Sequence, residues 1–415
     1  MSSDKDAATF ERMKLLAETP AIAEKVRKVT LLPQFIKTPE RVDFLGEWAK
    51  KLLMLDPENP NWLEEAQTGR EMVRFCQFAM QIVIALLPNL EDLCISLVTE
   101  SQIRHHGGSR SSFAWLQRRF KALGKQYNLP HLHTLKFTSS EEDEQFTLAS
   151  PAVSLITSSS PSLRVLEFDG VENSDLRMGD FRAHEAVFRN VRSLFFSESE
   201  FADEDTICNF VHMMPALQRL SVHTERQAPI RINDLLTGLG QANKTLEYFS
   251  FEHKQSPHDE ITKITKEELT KFSKLKTLRF GAPLYCEHWD EEDEEEAGGT
   301  CLLNVLTDSI EKLVIFVTEH SDFCNTAPDL HQLAGEIQKG KYPNLKLLQL
   351  ELSEPCSTPD LSSQITDANV ENLFGFDTRL REACKALLKT RLQLWTRTVN
   401  TWFPYNWDVG GVRVA

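Results

Sequence analysis

One short phrase recurs along this chain: an apolar residue, two of any kind, a second apolar residue, one of any kind, and a third apolar residue. It reads Leu90-Leu93-Ile95, Leu132-Leu135-Phe137, Leu163-Leu166-Phe168, Val191-Leu194-Phe196, Leu217-Leu220-Val222, Leu246-Phe249-Phe251, Leu275-Leu278-Phe280, Ile310-Leu313-Ile315 and Leu345-Leu348-Leu350. A fainter copy, Val26-Val29-Leu31, stands near the start. From Leu135 onward the central residues advance by 31, 28, 26, 29, 29, 35 and 35 residues. A beat held that narrowly restricts the chain to a repeat architecture before any other feature is weighed.

The phrase has a physical meaning. Its last two apolar positions are two apart, so in an extended chain they point to the same side. A strand this short cannot bury that side alone, and copies must stack as a parallel sheet. Five copies carry proline two residues ahead (Pro88, Pro130, Pro161, Pro215 and Pro343). Proline ends a helix and biases its predecessor toward an extended form, so it marks a helix-to-strand corner.

Between the phrases lie stretches with helical spacing: Met72, Cys76, Ala79, Val83 and Leu86; Phe113, Leu116, Phe120 and Leu123; Ile207, Phe210 and Val211; Leu330, Leu333 and Ile337. The expected fold is α/β, a solenoid with a parallel concave sheet and convex helices. We expect a helical cap over residues 1–25 and about ten repeat units over 26–352, with an acidic insertion at 287–299. Residues 353–415 then read as a polar loop, a capping helix from about Asp367 to Trp395, and an aromatic tail. The tail holds Trp402, Phe403, Tyr405 and Trp407, and the whole segment is rich in Lys and Arg.

The chain of 415 residues carries 46 Lys and Arg against 61 Asp and Glu, a formal charge of −15. That balance argues against nucleic acid and against anionic membrane surfaces as partners. The most apolar stretch, Phe75 to Leu87, is interrupted by Gln77 and Gln81 and is too short to span a bilayer. The N-terminus has no signal-peptide core, and eight scattered cysteines include no CxxC pair. A monomer with reduced thiols, in the cytoplasm or nucleus, is the expectation.

Chemistry is sparse. No phosphate-cradling glycine loop, GxSxG elbow or HExxH helix occurs, and His131 and His133 are spaced by the strand phrase alone. No catalytic residue, metal ligand or cofactor is expected. The acidic run Asp290–Glu296 and the stretch Glu141–Glu144 read as solvated loops, the latter following Ser139 and Ser140 as a kinase acceptor would.

The residues flanking the inward apolar positions face the concave side. They include Lys136, Glu167, Asp169, Phe195, Arg219, His223, Tyr248, Arg279, Lys312 and Phe316. Exposed aromatics (Phe195, Tyr248, Phe316) interleaved with cations are the composition of a protein-binding surface.

The L-x-x-L-x-L form resembles the leucine-rich-repeat superfamily. The opening stretch, with Phe10, Arg12, Lys14, Leu15, Leu16, Thr19, Pro20, Ile22, Ala23, Val26, Arg27, Val29, Thr30 and Leu31, is similar to the repeat part of fungal F-box/leucine-rich-repeat proteins. The pattern departs from the superfamily in lacking Asn or Cys eight residues after the first Leu, so irregular turns are expected. An F-box would precede the first repeat, and none is read here. The resemblance implies protein recognition through the concave face, as substrate recognition for a ubiquitin ligase, with cullin-ligase components among the partners. The alternative is a GTPase-regulating leucine-rich-repeat protein, acting through Arg or acidic residues at strand ends.

Overall fold

The structure is a computed structural model. It describes residues 11–12, 14–31, 72–97, 113–123, 128–139, 146–148, 150–173, 185–201, 204–224, 231–253, 264–281, 284, 301–317, 320–354, 362–373 and 378–400. The acidic runs Asp290–Glu296 and Glu141–Glu144 and the aromatic residues Trp402, Phe403, Tyr405 and Trp407 lie outside the described residues. The chain divides into two compact units, Met1–Ala202 and Asp203–Ala415.

In the first unit, β1 (Lys28–Leu31), β2 (Asp92–Leu97), β3 (Thr134–Ser139), β5 (Val165–Asp169) and β7 (Ser193–Phe201) pair in that order, all parallel. The short strands β4 (Phe146–Thr147) and β6 (Val171–Asn173) extend the distal half of β7 as a second small sheet. Gly170 makes the corner between β5 and β6 with a φ of 76°, a conformation that glycine adopts without steric cost.

In the second unit, β8 (Arg219–Thr224), β9 (Tyr248–His253), β10 (Thr277–Gly281), β11 (Lys312–Val317) and β12 (Leu347–Glu354) continue the same parallel scheme. It ends with β14 (Gln393–Asn400), parallel to β12, and the three-residue β13 (Ser362–Gln364), antiparallel to β14. The α/β class and the parallel stacking of the phrases within each unit are therefore present.

Every apolar position of the nine full phrases is at most 2% exposed. The fainter copy is weaker in structure too: Val26 and Val29 are only half-buried. Each unit's helices bury apolar residues as well. In the first these are α1 (Pro20–Ala23), α2 (Met72–Leu86), α3 (Ala114–Ala122), α4 (Pro151–Ser158) and α5 (Glu185–Phe188). In the second they are α6 (Glu204–His212), α7 (Ile232–Gly238), α8 (Lys266–Thr270), α9 (His320–Gln338), α10 (Val370–Leu373) and α11 (Thr378–Leu388). Ala79 and Val83 of α2, Leu116 and Phe120 of α3, Ile207 and Phe210 of α6, and Leu330 and Leu333 of α9 are closed to solvent. A helix layer covers one face of a sheet, and each large apolar side chain so buried contributes about 1.5–3 kcal/mol. No helix among the described residues is long and apolar enough to cross a membrane.

The corners between helix and strand are regular. After eight of the nine full opening positions, Leu217 being the exception, the backbone N–H groups of the next two residues share one carbonyl of the preceding repeat. Glu91 and Asp92 donate to Arg27, Arg164 and Val165 to His133, and Lys346 and Leu347 to Glu311. One residue earlier, a side chain reaches back to the preceding corner. Asn89 donates to the Glu24 carbonyl (2.9 Å), Ser162 to Pro130 (2.6 Å), Asn190 to Pro161 (3.0 Å) and Asn344 to Asp308 (2.8 Å). At these four repeats the side chain just ahead of the phrase thus satisfies a corner carbonyl that neither helix nor strand engages.

The C-terminal expectation needs correction. The helix does not run from Asp367 to Trp395: α11 stops at Leu388, and Gln393–Asn400 form one more parallel strand. Leu394 aligns with Leu348 and Thr396 with Leu350. The residue in line with Leu345 is Arg391, whose guanidinium donates to the Tyr342 carbonyl at 2.7 Å. Only the central apolar position of the phrase survives, which hides it. The β-branched residues Thr396, Thr398 and Val399 supply the strand preference.

Candidate functional site

The face of each sheet opposite the inward apolar positions is built in cross-strand rows, because successive side chains alternate and the strands are in register. In the first unit one row runs Cys94, Lys136, Glu167, Phe195. Lys136 Nζ lies 2.5 Å from Glu167 Oε1 and 3.1 Å from Asp169 Oδ2. Burial by itself lowers the Lys136 pKa, but the two carboxylates outweigh it and hold the ammonium above the usual lysine range. Burial pushes the neighbouring Cys94 thiol up to about 11; Lys136 opposes that rise and Glu167 and Asp169 add to it.

In the second unit, one row holds Arg219, Tyr248, Thr277, Lys312, Leu347 and Gln393, and the next holds Ser221, Ser250, Arg279, Val314, Gln349 and Trp395. Beyond them Phe316, Glu351 and Arg397 align. Gly281 is the neighbour of Phe316 and offers no side chain. Arg279 reaches into that row. Its Nε is 2.8 Å from Glu351 Oε2, its Nη1 is 2.8 Å from Glu252 Oε2 and 3.2 Å from Ser250 Oγ, and its guanidinium lies 5.4 Å from the centre of the Phe316 ring. Gln349 Nε2 donates to Glu351 Oε1 at 3.0 Å, and His223 Nε2 stands 3.9 Å from Glu252 Oε1. A cation this buried is tolerated because two carboxylates neutralise it and the aromatic face adds a cation–π contact.

Of the ten residues read as an open surface, four are closed. Phe195 is 2% exposed, Phe316 and Arg279 4%, and Asp169 8%. The expectation of exposed aromatics fails for Phe195 and Phe316: both have the face-lining register, yet both are packed away. Lys136, Glu167, Arg219, His223, Tyr248 and Lys312 are half-buried. The structure brings Lys136, Glu167 and Asp169 together in the first unit. In the second it joins Arg279 with Phe316, Arg219 with Tyr248, and His223 with Glu252.

Arg219 sits with its guanidinium 5.0 Å from the centre of the Tyr248 ring. Burial raises the Tyr248 phenol pKa above its usual value, against the pull of Arg279. Lys312 has the opposite sign of perturbation. Burial lowers its pKa first, Glu351 counteracts, and Arg397, Arg219 and Arg279 lower it further. Glu252 and Glu351 are placed on this face by their position in the phrase alone, and Arg397, legible in sequence only as one of the cations of the C-terminal segment, comes onto it because its segment is a strand and not a helix and tail. No cluster of three or more His, Cys, Asp or Glu among the described residues is placed to hold a metal ion. Compared with known proteins, the chain matches no family model and no curated sequence.

Proposed function

We propose that this protein is a non-enzymatic recognition module of the leucine-rich-repeat solenoid kind, which engages a protein partner through the strand face opposite its helices. The observation that carries the reading is the half-buried, chemically mixed row of the second unit: Arg219 over Tyr248, then Thr277, Lys312 and Leu347 on successive parallel strands. Parallel repeats supply a broad surface whose residues are set by register, and Arg with Tyr is the pairing enriched where partners bind. Substrate recognition for a ubiquitin ligase is the role that the leucine-rich-repeat resemblance implies, with cullin-ligase subunits as the associated partners.

The test is positional. A photo-crosslinking amino acid at Thr277 or Leu347 should trap a partner, with the crosslink mapped to that position, whereas the same group at Lys266 on α8 should not. Trapping from Lys266 alone would place recognition on the helix side and end the proposal. A cullin-ligase subunit trapped through the strand face would support the adaptor role.

A further inference from the structure

We infer that the first unit has a contact surface of its own, at the edge where its strands begin, which receives an acidic α-helix of a partner polypeptide with Arg164 and Arg192 as the anchoring cations. Both residues directly follow an opening apolar position, and backbone bonds hold them abreast. The Arg164 N–H donates to the His133 carbonyl at 2.8 Å, and the Arg192 N–H to the Arg164 carbonyl at 2.8 Å. His133, Arg164 and Arg192 therefore stand side by side just ahead of β3, β5 and β7. Elsewhere this position alternates in charge. In the first unit Arg27 pairs with Glu91 at 3.2 Å. In the second, Glu247, Lys276, Glu311 and Lys346 succeed one another, and Glu311 lies 3.3 Å from Lys276 and 2.7 Å from Lys346. Two adjacent arginines break that alternation. Both are exposed, and neither guanidinium makes a hydrogen bond or an ion pair with another described residue. Glu91, next in the row, is taken by Arg27, and Glu185 of α5, the helix leading into Arg192, by Arg189 at 2.7 Å. Like charges on neighbouring strands repel. The isolated chain carries that cost in a protein whose formal charge is −15, and carboxylates of a partner relieve it.

The spacing selects the ligand. At about 4.8 Å per strand, Arg164 and His133 lie about 4.8 and 9.6 Å along the row from Arg192. On an α-helix, residues i, i+3 and i+7 share a face and are separated by rises of about 4.5 and 10.5 Å. Alternate residues of an extended peptide fall at about 6.6 and 13.2 Å, out of step by the third position. Acidic residues at i and i+3 of a helix laid across the strands thus meet the two guanidiniums, and one at i+7 meets the ring N–H of His133. A phosphate group would draw both guanidiniums to one point and leave His133 unused. Exposed ion pairs are individually weak, so the row orients and selects the helix, and its grip falls as salt rises.

The experiment uses the full chain at low salt and a fluorescein-labelled, alanine-based helical peptide with glutamates repeated at i, i+3 and i+7, followed by anisotropy. The comparison probes are the same peptide with glutamines, an extended glutamate–proline repeat with as many glutamates, and a phosphoserine peptide. We expect the helical glutamate peptide to bind, the glutamine peptide not to bind, and the other two to bind at least fivefold more weakly. The double variant Arg164→Gln, Arg192→Gln should lower the affinity for the helical peptide at least fivefold with the melting temperature unchanged or raised. Arg192→Glu, which restores the alternation, should abolish binding and raise the melting temperature. No binding of the helical glutamate peptide, equal binding by the double variant, or a comparison probe that binds as tightly would each overturn the inference. So would a lower melting temperature for Arg192→Glu, since the adjacent arginines would then carry no repulsion for a partner to relieve.

Discussion

Arg279 Nε and Glu351 Oε2 lie 2.8 Å apart although 72 residues separate them in the chain. They stand on β10 and β12, and Phe316 of the intervening strand lies beneath the guanidinium. The pair, with Glu252 on the other side, ties three repeats together by charge where the helix-facing side ties them by apolar packing. Such networks contribute little net attraction once desolvation is counted, but leaving one member unpaired is expensive.

Arg279→Met should therefore destabilise the protein by about 3–5 kcal/mol, since two buried carboxylates would lose their counter-ion. The triple variant Arg279→Met, Glu252→Gln, Glu351→Gln should lose markedly less, because the unpaired charges are gone. Urea unfolding of the two variants measures the difference. Equal losses would mean that the ion pairs themselves supply the stability.

The corner ladder makes a second prediction, of gain as well as loss. Asn190→Ala and Asn344→Ala each remove one hydrogen bond to a corner carbonyl and should cost about 0.5–1.5 kcal/mol. Lys274 occupies the same place ahead of Leu275 and is exposed. The carbonyl that an asparagine there would reach is that of Lys244, two residues before Leu246. Lys274→Asn should raise stability by up to about 1 kcal/mol. A thermal melt showing a loss would indicate that the corner of this repeat departs from the others.

The repeat was legible in the sequence because burial of its three apolar positions leaves no freedom: all nine full phrases fell on paired strands with closed side chains. The final strand was not legible. Arg391 and Thr396 replace two of its apolar residues, and Arg391 stays exposed, its guanidinium bonded to the Tyr342 carbonyl. On the opposite face, register could be read but burial could not. Phe195 and Phe316 alternate outward as the phrase requires, yet whether an outward residue meets water depends on what crosses the face. Arg279 shows the same limit. Its partners lie one strand away on one side and two on the other, and the absence of a side chain at Gly281 became informative only once the strands were aligned.

Cys94 gives a chemical readout of the first unit. At pH 8 a thiol with a pKa of about 11, against an ordinary 9, carries about one hundredth of the thiolate, so iodoacetamide should modify Cys94 about a hundredfold more slowly than a free cysteine. Glu167→Gln removes a charge that disfavours the thiolate and should speed the reaction. The linkage has a definite sign. Below pH 9 both states keep the proton; between 9 and 11 the unfolded chain releases it while the folded one retains it. Stability from this group is therefore present below pH 9 and lost as pH rises through 11. Cys94→Ala should flatten that alkaline decline in urea titrations, and an unaltered decline would assign it elsewhere.

Gly238 ends α7 against Cys208 of α6, and the two predict opposite outcomes for one substitution. A Cβ placed on Gly238 would stand 2.2 Å from Cys208 Sγ and 3.0 Å from its Cβ. Replacing a helical glycine by alanine ordinarily gains about 1 kcal/mol, whereas overpacking costs about 1–3 kcal/mol. Since Cys208 is buried and its thiol already donates toward the Leu235 carbonyl at 3.7 Å, it has little room to withdraw. Gly238→Ala alone should lower stability by about 1–2 kcal/mol. In a Cys208→Ala background the sulfur is absent and most of the overlap with it, so the same Gly238→Ala change should cost less or become stabilising. A double-mutant cycle in urea reads the coupling directly, and additive effects would show that the two helices part enough to admit the methyl group without strain.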